Sequence, residues 1–394
     1  IGMGLKKIDA AFERCRSLRK ICLSNKIEDI NGGAFSEGAC KEFSVEDGSE
    51  SYKSIDGCLY KIVDSEKDDL KLMYAANTTD FKYATPENVT EADMCAFRGR
   101  DNIKEIDIGG EIEELSWYSL INCSNLETLK LSSKLKSFDR DMTAYSFDND
   151  LTNLKNIIVD EGNTEYESYN NELFEKGKKN LILLPYGSDS IVIPKETEYI
   201  CGGIAKNKFK DIKVEDGNKY FTVNSNVLYN KDITEIIIFP SYKTTYTLPA
   251  TLKEFPSMTY RYTEDYLDIE GEAWITRADE NLESVKVEEG NKVYKAVDGV
   301  LYLKNTKQLE YYPPAKKGSY EIIEGTKYVN DAAFIYTKYL TSLTVPDSVK
   351  SIRISPRDSK SLKQLTVSIK CEVIKMTKRE GGGVKVYRRL VLKC

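Results

Sequence analysis

Four times along the chain the pattern Val-acidic-acidic-Gly-(Asn/Ser) recurs, at Val45–Ser49, Val159–Asn163, Val214–Asn218 and Val287–Asn291. In each copy an aromatic residue stands seven positions after the Val (Tyr52, Tyr166, Phe221, Tyr294), and a Leu stands fourteen after it (Leu59, Leu173, Leu228, Leu301). Four copies in register make this an internal repeat. Each unit then buries its apolar side against its neighbours, and the sequence predicts one continuous solenoid over residues 1–367. Long units are expected near 45–108, 159–214, 214–287 and 287–345.

A shorter phrase, L-x-x-(L/I/V)-x-(V/L/I), runs through and between these units. It reads Asn102–Ile108, Asn125–Leu131, Asn153–Val159, Phe209–Val214, Asn281–Val287, Tyr339–Val345 and Ser361–Val367. Its last two apolar positions flank a polar one, the period of a half-buried strand, so each phrase predicts one strand of a parallel stack. The Ala-Phe pairs at Ala11-Phe12, Ala34-Phe35, Ala96-Phe97 and Ala333-Phe334 are expected to start the return segment, with Phe plugging the core beneath the strands.

Eleven and twelve positions after each Val lie Asp56-Gly57, Asn170-Asn171, Ser225-Asn226 and Asp298-Gly299. These pairs tolerate the positive φ angles of tight hairpins, so each long unit is predicted to carry a β-hairpin spliced after its strand. Pro185, Pro240 and Pro313 fall 26 residues after their Val, and Pro194 and Pro249 fall 35 after it. Such fixed offsets suit corners where no N–H is needed. The first unit lacks these prolines and has an acidic stretch, Asp64–Asp69, which predicts a small insertion. The third unit is the longest, its excess including Tyr260, Tyr262, Tyr266 and Trp274.

Composition excludes more than it selects. With no histidine among 394 residues, Ser/His and Cys/His nucleophile pairs, His bases and His metal ligands are absent. The 63 acidic residues are so many that a pair of carboxylates carries no information. Nine cysteines without a C-x-x-C do not form a zinc framework; Cys15 and Cys123 read as small buried hydrophobes. Glu46-Asp47-Gly48 and its equivalents lack the alternating carboxylates of a calcium loop. No metal and no cofactor is expected, and no apolar run reaches the roughly 18 residues of a spanning helix.

Charge is uneven. Residues 353–394 carry twelve Lys or Arg against three Asp or Glu, whereas residues 1–352 carry a net −15. Residues 368–394 match no repeat and are read as a basic cap or tail, a terminal hairpin being one form of it. No aromatic-interleaved basic motif of a nucleic-acid binder is present, so nucleic acid is not an expected partner.

The V-x-x-G-N units, the hairpin Asp298-Gly-Val-Leu-Tyr302 and the A-F-x-x-C-x-x-L segment Ala11–Leu18 resemble the BspA-type leucine-rich-repeat family of bacterial and protist surface proteins, over about residues 5–367. The resemblance implies a leucine-rich-repeat solenoid, a right-handed α/β-type superhelix dominated by β-structure. It also implies secreted or cell-surface adhesion to host protein, glycan or another cell, with no catalytic residue to transfer. The alternative is a spacer or scaffold region of a larger wall-associated protein; a carboxylate-based glycan hydrolase would need two acids facing each other across a cleft. Tyr260, Tyr262, Tyr266 and Trp274 form the candidate contact surface, since Tyr and Trp supply much of the energy at interfaces and stack on sugars. The chain opens on Ile1-Gly2-Met3-Gly4, without the charged and apolar start of a signal peptide, and Leu248-Pro-Ala-Thr-Leu252 reads as a repeat proline, not an anchor.

Overall fold

The computed structural model describes residues 4–31, 33–78, 81–138, 151–185, 187–201, 209–240, 242–255, 261–263, 266–268, 280–334, 336–354, 361–368, 373–376 and 385–389. The chain divides into two compact units, Ile1–Ser188 with Glu196–Ile204, and Asp189–Lys195 with Ala205–Cys394. Each is a stack of β-coils. Among the described residues the only helical segments are two short 3-10 turns, Trp117–Leu120 and Lys176–Lys178.

All seven predicted phrases are strands. In the first unit Phe81–Ala84, Ile103–Ile108, Thr128–Leu131 and Asn156–Val159 form one parallel ladder. Its inward residues Ile106, Leu129 and Ile157 are sealed from solvent, and the residues between them face out. In the second unit Gly318–Glu321, Leu340–Thr344, Gln364–Ser368 and Lys385–Arg389 form another. Ser351–Ile354 and Val373–Met376 also pair in parallel. The strands beyond residue 368 therefore stack on earlier ones and do not pair with each other.

The hairpin turns take the backbone that their sequences predict. Both central residues have positive φ in all four: 48° and 75° at Asp56-Gly57, 52° and 64° at Asn170-Asn171, 51° and 59° at Ser225-Asn226, 48° and 72° at Asp298-Gly299. The insertion is larger than a hairpin, because a third antiparallel strand follows each pair: Asp69–Tyr74, Asn180–Leu183, Ile236–Ile238 and Gln308–Tyr311. Two of the meander tips abut the strand of their own coil, where Phe43 N–H donates to Gly57 O and Val285 N–H to Gly299 O, both at 2.9 Å.

The recurring parts of the motif have separate physical roles. Asn163 and Asn291 are buried, and each donates Nδ2 to two carbonyls of the preceding turn (Ser132 and Leu135; Pro249 and Leu252) while Oδ1 accepts two N–H groups of the following strand. Asn218 repeats this through Pro194 O and the N–H groups of Tyr220 and Phe221. One amide thus satisfies backbone groups on two coils that water cannot reach. The aromatic seven positions after the Val docks the meander: Tyr52, Tyr166 and Tyr294 each accept a backbone N–H through the hydroxyl at 2.8 Å, from Ile30, Phe138 and Phe255.

A second aromatic column lies fifteen positions after the Val. Tyr60, Tyr229 and Tyr302 share buried hydroxyl contacts with Tyr83, Tyr246 and Tyr320, at 3.4, 2.7 and 2.6 Å. In the unit starting at Val159 the equivalent residues are Phe174 and Ile191. Both hydroxyls are missing together, as expected when a buried polar group left without its partner costs about 1–3 kcal/mol.

On the return side Phe35, Phe97 and Phe334 are buried, each ring worth roughly 1.5–3 kcal/mol of burial, and Phe12 stacks on Phe35 with centroids 5.3 Å apart. The turns form their own column. Phe12 N–H donates to Ala34 O, Glu37 N–H to Arg98 O, and Gly99 N–H to Ile121 O. Arg100, wholly buried, reaches Gly38 O at 2.7 Å and Phe35 O at 3.2 Å, while Glu37 accepts from Arg14 and Arg98. Residues 34–38 and 96–100 therefore stack directly although the first long unit lies between them in sequence. Gly99 (φ +73°) is required here, since a Cβ would lie 2.3 Å from Glu37 Cα.

Candidate functional site

Of the residues singled out from sequence, Tyr260 and Trp274 lie outside the described residues. Tyr262 and Tyr266 fall in a short antiparallel pair, Arg261–Thr263 with Tyr266–Asp268, in which Tyr262 is opposite Leu267 and Tyr266 opposite Thr263. The backbone thus brings these two tyrosines onto one hairpin.

A groove that the sequence did not signal lies in the first unit. Its floor is the short ladder of Glu114–Leu115 and Ser137–Phe138, paired in parallel. Leu115 and Phe138 point into the core and leave Glu114 and Ser137 exposed. Ser116 continues the floor and caps the 3-10 turn, accepting Tyr118 N–H at 3.3 Å. One wall is the start of the second meander, fixed by the Phe138 N–H to Tyr166 hydroxyl bond and by Lys176 N–H donating to Glu165 O at 2.8 Å. The space is about 820 Å³, and half-exposed Met94 lines it as well.

The lining is polar and of mixed charge. Lys136 is held by Glu113 at 2.5 Å, Glu165 accepts from Thr164 at 3.1 Å, and Glu175 accepts from Asn180. Glu114 and Lys176 also line the groove, and neither has an ion pair with a described residue. An open trough of this kind lacks the apolar enclosure of a small-molecule pocket. It suits an extended polar chain.

Burial pushes the Cys58 and Cys95 thiols up to about 11, so both stay protonated and unreactive near neutrality. No group of three acidic or thiol side chains is placed to hold a metal ion among the described residues. Glu172 is the exceptional acid. It occupies the slot held by Cys58, Val227 and Val300 in the other units; one oxygen, Oε2, is sealed without a hydrogen-bond partner, and burial alone pushes its carboxyl up to about 7.

By contrast, the outer face of the four-stranded ladder is laced with opposite charges. Glu105 pairs with Lys82 at 3.1 Å and Lys130 at 2.5 Å, and Glu127 pairs with Lys104 at 2.8 Å and Lys155 at 3.0 Å. The two lysines hold the Glu127 carboxyl at about 2.

In sequence, the model of the BspA type leucine-rich-repeat region matches six copies over residues 3–62, 74–181 and 315–377, more than half of the chain. The chain belongs to the BspA-type leucine-rich-repeat family. Among solved structures it is similar to the pneumococcal vaccine antigen PcpA (16% identity, 84% of this chain and 89% of that one, TM-score 0.29). It is also similar to a leucine-rich cell surface protein of Faecalibacterium prausnitzii (12% identity, 85% and 97%, TM-score 0.32) and a leucine-rich repeat protein of Eubacterium ventriosum (17%, 80% and 71%, TM-score 0.23). No curated protein is significantly similar to it in sequence. No helix among the described residues is long and apolar enough to cross a membrane.

Proposed function

We propose that this BspA-type chain is a non-enzymatic binding or adhesion module, secreted or held at the cell surface. It offers the groove at Glu114, Ser137 and Glu165 to an extracellular protein segment or glycan. The observation that carries this reading is the groove itself: an open, polar trough whose floor and wall are hydrogen-bonded to the coil, so that its groups are held in place before a partner arrives. The hairpin bearing Tyr262 and Tyr266 is a second contact surface. The total absence of histidine and the protonated, buried thiols of Cys58 and Cys95 support a role without catalysis.

A spacer role is the second reading. It is favoured by the ladder face around Glu105 and Glu127, where the charges already satisfy one another and leave little for a ligand.

The test is to immobilise the chain and present fibronectin, collagens, mucins and a glycan array at physiological salt. Saturable binding to one class, weakened by Glu114→Lys with Lys176→Glu at an unchanged melting temperature, supports the groove. Loss on Tyr262→Ala with Tyr266→Ala instead moves the site to the hairpin. Silence across the panel overturns the adhesion reading in favour of the spacer.

A further inference from the structure

The groove floored by Glu114 and Ser137 is lined by carboxylates that the other long repeats do not carry. Glu165 and Glu175 stand six and sixteen positions after Val159, where the remaining repeats have Ser51 and Lys61, Tyr220 and Asn230, and Val293 and Leu303. Tyr166 and Glu175 are register partners in the meander, and Lys176 N–H donates to Glu165 O, so both glutamates belong to one wall. Glu114 lies on the floor. Among the described residues the Glu114 and Glu165 carboxylates have no ion pair, and Glu165 is met by the neutral Thr164 hydroxyl.

Two lysines line the same groove, and neither balances these acids. Lys136 is already engaged by Glu113 at 2.5 Å. Lys176 stands seventeen positions after its Val, as do Lys231 and Lys304. Lys231 Nζ donates to Asn218 O at 2.7 Å, and Lys304 Nζ donates to Asn291 O. Lys176 makes no such bond to Asn163 O, and its Nζ has no partner among the described residues. The ammonium that ties two other meanders to their motif asparagines is here left exposed beside the groove.

We propose that the groove holds an extended basic segment of a partner protein, an inference that rests on the groove being the binding site. Cationic side chains of the segment pair with Glu114 and Glu165, and Lys176 donates to one of its backbone carbonyls, as Lys231 and Lys304 donate to Asn218 and Asn291. In an extended chain alternate side chains point to one face, so a basic residue at every second position sets its charges along the trough. A guanidinium meets a carboxylate through two parallel hydrogen bonds. An acidic glycan would bring like charge against the glutamates, and a neutral one would cover them without a counter-charge.

The test uses the full chain and three decapeptides that alternate serine with arginine, glutamine or glutamate. Chitosan oligosaccharide, spermidine and a panel of acidic and neutral glycans are further probes, and affinity is measured at several salt concentrations. The arginine peptide should bind tightest and lose affinity as salt rises. Glu114→Gln with Glu165→Gln, both at exposed positions, should weaken it at least about fivefold, the scale of two partly exposed ion pairs. Asp216→Asn with Glu289→Gln, which removes equal charge from exposed acids of the other compact unit, should weaken it less than about twofold. Lys176→Met should weaken it at high salt, where the lost carbonyl contact is no longer masked by the gain in negative charge; no loss there refutes that contact. Equal losses in the two double variants, or tighter binding of any other probe than of the arginine peptide, overturn the proposal. If such a probe is released by the charge-swapped Glu114→Lys, Lys176→Glu variant, the groove stands as the site and its basic occupant falls. If no probe responds to any groove variant, both fall.

Discussion

Glu172 should make the stability of the first unit fall as pH rises. Its carboxyl lies at about 7 in the folded chain against 4.5 for an ordinary glutamate, and the cause is burial without a compensating partner. An acid whose folded value is raised binds more protons folded than unfolded, so its contribution is fully present below pH 4.5 and is lost as pH climbs through 7. The full difference is about 3 kcal/mol, of which about 2.5 kcal/mol falls between pH 5 and pH 8. Glu172→Val restores the residue that the same slot holds at Val227 and Val300. Urea and thermal unfolding of both proteins across that range give the assay. The variant should gain steadily on the parent as pH rises, with the melting temperatures crossing or closest near pH 5. Parallel pH profiles for the two proteins would show that the carboxyl is solvated and the reasoning wrong.

Other substitutions separate the elements that hold the coils. Tyr229→Phe should cost about 1–3 kcal/mol by leaving the Tyr246 hydroxyl unpartnered, while Tyr229→Phe with Tyr246→Phe should cost less than the two single losses together; a cycle of unfolding free energies with no coupling would contradict the paired contact. Asn291→Ala orphans two carbonyls and two N–H groups and should cost at least about 3 kcal/mol, read as lost hydrogen-exchange protection at Val293 and Tyr294. Gly99→Ala should disrupt the turn contact with Glu37 and raise protease sensitivity around residues 34–38 and 96–100; an unchanged digestion pattern would count against the close approach.

Much of the architecture is legible because it depends on local periodicity. The apolar alternation of Ile103–Ile108 and the Asp-Gly pair at 298–299 each dictate their own strand or turn, and both form as their residues require. The third strand of each meander is not read from sequence: turn residues do precede Asp69–Tyr74 (Asp64, Ser65, Asp68) and Gln308–Tyr311 (Asn305), but the strand itself is defined by pairing with the strand it follows. The role of the motif asparagine is equally hidden, because its partners lie on the previous turn, 24 to 42 residues away. The groove gathers Met94, Glu114, Ser137 and Glu165 from four segments, and no window of sequence contains it. Composition alone singles out Tyr262 and Tyr266, and the backbone adds that both stand on one hairpin.

Arg100 bears on how such an array changes length. Its guanidinium and the Glu37–Arg98 contact join turns that flank the whole first meander, so the column of turns is continuous where the ladder of strands is interrupted. Residues added to a meander lengthen its own strands, as in the seven-residue strand Cys58–Asp64, against four in Glu172–Glu175, Val227–Asn230 and Val300–Leu303. Growth of the decoration and spacing of the coils are therefore uncoupled, which gives a lineage freedom to elaborate one edge of the molecule while the stacking that folds it stays fixed.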